Sequence, residues 1–241
     1  MSRLSRRDVV AATGAAAAAA LATPPEATAQ QARPAAQPTT YLFFNTDEVA
    51  FIEAAVSRLI PADDKWPGAL ETGVANFLDK ELNGAWGAGE RLYRSGPWQP
   101  GTPSQGYQLP FTPAELFRTA LAAINKDLSR AGTPFAKMSG DQQDAYLRSL
   151  EAGGKDLGGV PSDIFFTHLW DATVEGFFSD PVYGGNRDMV AWKMIGFPGA
   201  YASYYELVDQ HGLKLDRKPT SLAEDSHGHV HVQPGIPAGQ R

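Results

Sequence analysis

EGFFSDPVYGGNRDMVAWKMIGFPGAY, residues 175–201, is the stretch on which the reading of the fold turns. Two aromatic-rich segments of helical character flank a dense turn built from Asp180, Pro181, Gly184, Gly185, Asn186 and Arg187. Pro181 fixes its own φ and drives Asp180 out of helical conformation. The paired glycines permit positive φ or close approach of backbone, which other residues tolerate poorly. Asn186 and Arg187 bring hydrogen-bonding groups beside that backbone. A second break follows at Gly196, Phe197, Pro198 and Gly199, so a short helix over residues 188–195 is expected between two specified turns. Two readings stay open: a helix–turn–helix–turn piece of the core, or a loop that grips a partner or ligand.

Upstream, the helix signals are strong. Asn45 with Glu48 reads as a capping box, followed by Val49, Ile52, Val56 and Leu59 on one face and a stop at Pro61. A second helix is expected over residues 72–82, with Val74, Phe77, Leu78 and Leu82 as its apolar stripe and glycines 84, 87 and 89 ending it. Residues 95–110, SGPWQPGTPSQGYQLP, form a long irregular loop. A structureless loop of that length is uncommon in a compact domain, and Trp98 and Tyr107 argue that it packs or meets a partner. Thr112-Pro113-Ala114-Glu115 opens a third helix, whose buried face is Leu116, Phe117, Ala120, Leu121, Ile124 and Leu128, with Gly132 past its end. Ser139 with Gln142 opens a fourth, carrying Tyr146, Leu147 and Leu150. Ser162 is expected to cap a fifth over residues 163–178, and a last helix is expected over residues 200–208. No alternation of strand type runs through several segments, so the fold class is all-α, one compact multi-helix domain of roughly six to eight helices. Its span is read as residues 41–213, followed by a flexible tail, residues 214–241.

Composition narrows the functional classes. The 241 residues carry a formal net charge of −6 and 43% hydrophobic residues. A nucleic-acid partner would need a basic patch or stripe. With no cysteine, disulfides, covalent haem attachment and cysteine-ligated iron–sulfur clusters are excluded. The first 29 residues read as a signal peptide: Arg3, Arg6 and Arg7 precede an alanine-rich apolar run over residues 9–21, and Ala27-Thr28-Ala29 offers small residues for cleavage after Ala29. Ser5-Arg6-Arg7-Asp8-Val9-Val10 resembles the twin-arginine signal, an address for exporting folded proteins. Cleavage would remove three arginines, Asp8 and Glu26, taking the formal charge from −6 to −7. The apolar run is too short and alanine-rich for a good membrane span, so membrane attachment is expected only through partners. Residues 30–40, QQARPAAQPTT, read as a linker that buries no apolar surface.

Three clusters could carry chemistry. His227, His229 and His231 alternate in the tail, and histidine-rich tracts can take divalent metals weakly. His168, Asp171 and Glu175 fall on one helical face. That set could do acid–base or metal-assisted work, or it is a bundle histidine bonded to a neighbour. Asp63, Asp64 and Glu71 lie near a Pro/Gly turn but lack EF-hand spacing. No G-x-G-x-x-G follows a strand and no G-x-S-x-G is present. No catalytic or cofactor-binding residue is therefore assigned, although redox chemistry needs a cofactor that its protein binds and orients.

The segments EGFFSDPVYGGNRD (175–188) and WKMIGFPGAY (192–201) resemble the gluconate 2-dehydrogenase subunit 3 family, with weaker likeness in IPADDKWPGALETGVANFLD (60–79) and at residues 111–116. The resemblance implies a small accessory subunit without cofactor of its own. Its partners would be a large FAD-containing dehydrogenase subunit and a multihaem cytochrome c subunit, with FAD and haem c held by those chains. It further implies that this chain meets the twin-arginine translocase and carries the signal-less flavoprotein across the inner membrane. The complex would then sit in the periplasm, associated with that membrane, and oxidise a sugar, sugar acid or polyol. Trp98, Tyr107, Tyr183 and Arg187 are the expected partner-facing residues, because aromatics and arginine dominate interface energetics. Asp180, Pro181, Gly184, Gly185, Asn186, Gly196, Pro198 and Gly199 are expected to shape the turns. The alternatives are a stand-alone periplasmic enzyme using His168, Asp171 and Glu175, and a small-molecule-binding module using the 95–110 loop and the GGNR turn.

Overall fold

The helical bundle is ordered around one aromatic helix and locked at its leading edge by one carboxylate. In the computed structural model the described residues are 40–99, 101–200, 207, 209–215 and 217–224, within a single unit, residues 38–241. They form six α-helices: α1 Thr46–Leu59, α2 Val74–Asn83, α3 Pro113–Ala131, α4 Gly140–Glu151, α5 Ser162–Phe178 and α6 Val190–Ile195. Among the described residues no β-strand occurs, and two isolated bridges, Asp156 with Pro161 and Gly199 with Thr220, are the β-type pairings. No helix among them is long and apolar enough to cross a membrane. The all-α expectation holds. The helix read over residues 200–208 lies largely outside the described residues, as do Arg6, Arg7, Ala29, most of the linker, and His227, His229 and His231.

Helix α5 packs against α1, α2, α3, α4 and α6. Its buried residues Phe165, Leu169, Ala172, Thr173, Gly176 and Phe177 explain why. Phe165 meets Phe51 of α1 at 6.4 Å and Phe117 of α3 at 5.4 Å between ring centroids, and Phe51 also stacks on Phe135 at 4.7 Å. Burial of such rings supplies much of the hydrophobic stabilisation.

The caps follow the sequence closely at three helices. Asn45 Oδ1 accepts from the Asp47 and Glu48 amides while the Asn45 amide donates to Glu48. The reciprocal boxes at Thr112 with Glu115 and Ser139 with Gln142 are also formed. Two starts differ from expectation. Helix α2 begins at Val74 because Gly73 sits at φ 88°, outside helical space. Helix α5 begins at Ser162 with Pro161 as its N-cap. The bridge between Asp156 and Pro161 closes the preceding loop there, the Ser162 amide is spent on the Lys155 carbonyl, and the buried Ser162 hydroxyl has no hydrogen-bond partner.

The leading strand of chain is pinned by Asp79 of α2. This residue is 1% exposed, and its carboxylate accepts from the amides of Leu42 (2.7 Å), Phe43 (2.9 Å) and Phe44 (2.9 Å). Arg118 of α3 adds a second latch. It pairs with the buried Glu48, donates to the Phe43 carbonyl at 2.6 Å, and stacks over the Phe43 ring at 4.1 Å. Asp79→Ala leaves three amides without their acceptor and is expected to cost about 3 kcal/mol in urea unfolding, with Asp79→Asn intermediate. An unchanged midpoint for Asp79→Ala would show that the latch does not stabilise the domain.

Candidate functional site

The 180–199 segment is folded onto the rest of the domain by backbone contacts that demand glycine. A Cβ on Gly185 would stand 2.1 Å from the Gly176 carbonyl oxygen of α5 and 2.8 Å from Ser179 Oγ. On its other side Gly176 meets Phe77 of α2, where an added Cβ would lie 2.6 Å from the ring. Gly184 turns back at φ 103°, and its carbonyl accepts from Asn76 Nδ2 of α2 at 3.0 Å.

The polar residues of the turn are satisfied within the chain. Asn186 is fully buried; it donates through Nδ2 to the Ser179 carbonyl and accepts through Oδ1 from the Ala191 amide, both at 2.9 Å. That pair of bonds joins the end of α5 to the start of α6 across three non-glycine residues of positive φ: Asn186, Asp188 and Met189. The Arg187 amide donates to the Thr72 carbonyl at 2.9 Å, and its guanidinium reaches the Glu71 carbonyl at 3.4 Å. Trp192 of α6 donates through Nε1 to the Phe178 carbonyl at 2.8 Å and packs edge-on against Phe197.

Asp180 has a partner that sequence reasoning missed. Its buried carboxylate accepts from the Val182 amide within the turn, from Ser221 Oγ at 2.6 Å and from the Leu222 amide at 2.8 Å. Residue 220 also bridges the second break: the Ala200 amide donates to the Thr220 carbonyl at 2.7 Å, and the Thr220 amide to the Pro198 carbonyl at 3.3 Å. A Cβ on Gly199, at φ 85°, would lie 2.4 Å from that Thr220 oxygen. The sequence assigns residues 220–223 to the tail, and no local motif in PTSLAE marks them as docking there.

The four residues expected to face a partner differ in exposure. Tyr183 is 49% exposed and Trp98 36%. Tyr107 is half-buried, donates to the Phe111 carbonyl at 2.6 Å, and lies edge-on to His168 at 5.3 Å. Burial, with Glu115 nearby, pushes its phenol up to about 12. Arg187 is engaged as described above. Other apolar side chains stand exposed around the same end of the chain, among them Phe178, Ile195 and Phe197.

His168, Asp171 and Glu175 do not converge. His168 Nδ1 is hydrogen-bonded to the Ile164 carbonyl of its own helix at 2.9 Å, and Asp171 and Glu175 point to solvent. Glu175 stands seven residues beyond His168, about 10 Å along the axis. Partial burial, then the neighbouring Asp171 and Glu81, raise the Glu175 carboxyl above its ordinary range. Asp63 caps its own turn through the Lys65 and Trp66 amides, and Glu71 accepts from the Gly68 amide. Among the described residues no three His, Cys, Asp or Glu side chains gather as metal ligands would. One open cavity of about 570 Å³ lies between the 41–44 segment and α3, walled by Phe43, Arg94, Phe111, Glu115 and Arg118. Its arginines already pair with Glu115 and Glu48.

Among the described residues the turn is braced by the chain's own groups, and the sequence comparison covers it. The family model described as gluconate 2-dehydrogenase subunit 3 matches residues 46–199. The chain belongs to the gluconate 2-dehydrogenase subunit 3 family. No curated protein matches the chain, and no solved structure does. The family match opens at the first residue of α1 and closes at Gly199, so it takes in the knotted turn and stops short of the 220–223 strap.

Two substitutions separate close packing from backbone conformation in this family segment. Gly185→Ala drives a methyl into the Gly176 carbonyl and is expected to cost about 3 kcal/mol in thermal unfolding. Gly196→Ala meets nothing within 4 Å but must hold φ 72°, for an expected loss of about 1 kcal/mol. Equal losses would show that the Gly185 contact is not the constraint.

Proposed function

We propose that this chain is the accessory subunit of a flavin-dependent dehydrogenase complex and escorts its catalytic partner out of the cytoplasm. The observation that carries the reading is the family match over residues 46–199. The sequence supports it from the other side. It contains no dinucleotide fingerprint and no cysteine for haem attachment or an iron–sulfur cluster, so the chain carries none of those devices for redox chemistry.

In this reading the large subunit holds FAD and oxidises a sugar, sugar acid or polyol, and a multihaem cytochrome c subunit takes the electrons. The accessory chain binds the folded flavoprotein in the cytoplasm. Arg6 and Arg7 then present the pair to the twin-arginine translocase, and the complex remains in the periplasm against the inner membrane through its partners. The chain's own residues supply a rigid scaffold. Asn186, Asp180 and Arg187 spend their polar groups on the chain itself, so the outward face of the turn is held in one conformation before a partner arrives. A preorganised surface loses less entropy on association.

Two measurements test this. Affinity purification of the tagged full chain is expected to bring down an FAD-containing subunit in fixed stoichiometry. Changing Arg6 and Arg7 to lysine is expected to leave both chains in the cytoplasm. Active flavoprotein in the periplasm of that strain would overturn the escort role.

A further inference from the structure

Lys80 is an ammonium left without a counter-charge beside the family's signature turn. It lies one helical turn beyond Asn76 on α2, and both residues face Gly184. Asn76 donates to the Gly184 carbonyl, and Lys80 Nζ stands 2.9 Å from the position a Gly184 Cβ would take. The side chain is half-buried. Among the described residues Nζ makes no hydrogen bond or ion pair, in contrast to Arg58, Arg94, Arg118 and Arg130, each of which meets a carboxylate. The neighbouring Asp79 cannot serve it fully, because its oxygens receive the three amides of residues 42–44. Burial accordingly lowers the Lys80 ammonium below its ordinary pKa, with Asp79 opposing. Among the described residues no carboxylate forms an ion pair with it.

A half-buried cation without a partner costs free energy in the isolated chain. An incoming carboxylate would offset that cost, and Tyr183, next to Gly184 and 49% exposed, offers an aromatic surface alongside. We propose that Lys80 and Tyr183 form the contact point for an acidic side chain on the large dehydrogenase subunit. This rests on the accessory-subunit reading above. A small free anion is a poor occupant, since the Gly184 carbonyl and Asn76 amide are already paired with each other and leave a single cation to hold it.

The test uses the full chain and the co-expressed large subunit. Lys80→Met keeps the apolar stem and removes the charge. It is expected to leave the melting temperature of the isolated chain unchanged or raised, while weakening association with the large subunit at least about tenfold. Lys80→Arg is expected to retain binding, Lys80→Glu to weaken it further, and Tyr183→Ala to lower affinity without unfolding the chain. Loss of the charge should also flatten the salt dependence of the dissociation constant. Unchanged affinity in Lys80→Met and Lys80→Glu overturns the proposal. So does a loss of affinity that tracks a fall in melting temperature, which marks a structural role. Self-association of the isolated chain that Lys80→Met abolishes would mark a second copy as the occupant and overturn the proposal. If the unaltered chain fails to bind the large subunit at all, the accessory-subunit reading itself falls.

Discussion

The close contact between Gly185 and the Gly176 carbonyl is the constraint on which this structure depends. Backbone meets backbone there, and a single methyl group would not fit. Because Gly176 also receives the Phe77 ring, that one point joins α2, α5 and the turn after α5. Once the turn is pressed against α5, its polar atoms lose water and must find partners inside the protein. Asn186 takes the Ser179 carbonyl just past α5 and the Ala191 amide of α6, and Arg187 takes carbonyls ahead of α2. Asp180 then gathers residues 221 and 222 from the far end of the chain. The hydrogen bonds follow from the packing.

A buried carboxylate accepting several amides occurs twice, and each instance closes one end of the domain. Asp79 holds residues 42–44, just ahead of α1. Asp180 holds residues 221 and 222, where the last described strap leaves it. Charge-assisted bonds of this kind are stronger than neutral ones and cost much when broken in a dry site. They hold the two segments that border the described domain.

The chemistry points the same way. The histidine nearest to a carboxylate pair is tied to its own helix, and the acidic residues of the Asp63 turn cap that turn. Among the described residues, the rings of Phe178, Tyr183 and Phe197 stand exposed near the signature turn, with the half-buried Lys80 ammonium beside it. Those are features of a recognition surface: aromatic anchors supply contact area at small entropic cost, and a desolvated charge supplies selectivity for its opposite.

Much of this was legible in the residues. Local signals with short reach, such as the boxes at Asn45, Thr112 and Ser139 and the apolar face of α3, set helix positions because capping and periodicity act within a turn or two of the chain. The cysteine-free composition and the double break at 180–199 were equally readable, and with them the helical class and the family. Tertiary structure decided where side chains of ambiguous purpose were spent. Arg187 and Tyr107 make hydrogen bonds within the chain, whereas Lys80, unremarkable in sequence, makes no hydrogen bond or ion pair among the described residues. It also decided that Asp79 and Asp180 reach residues about 35 and 41 positions away. Sequence by itself determines local conformation through steric and capping preferences. Only the folded chain decides which distant groups share a dry site, because desolvation and close packing depend on which elements meet.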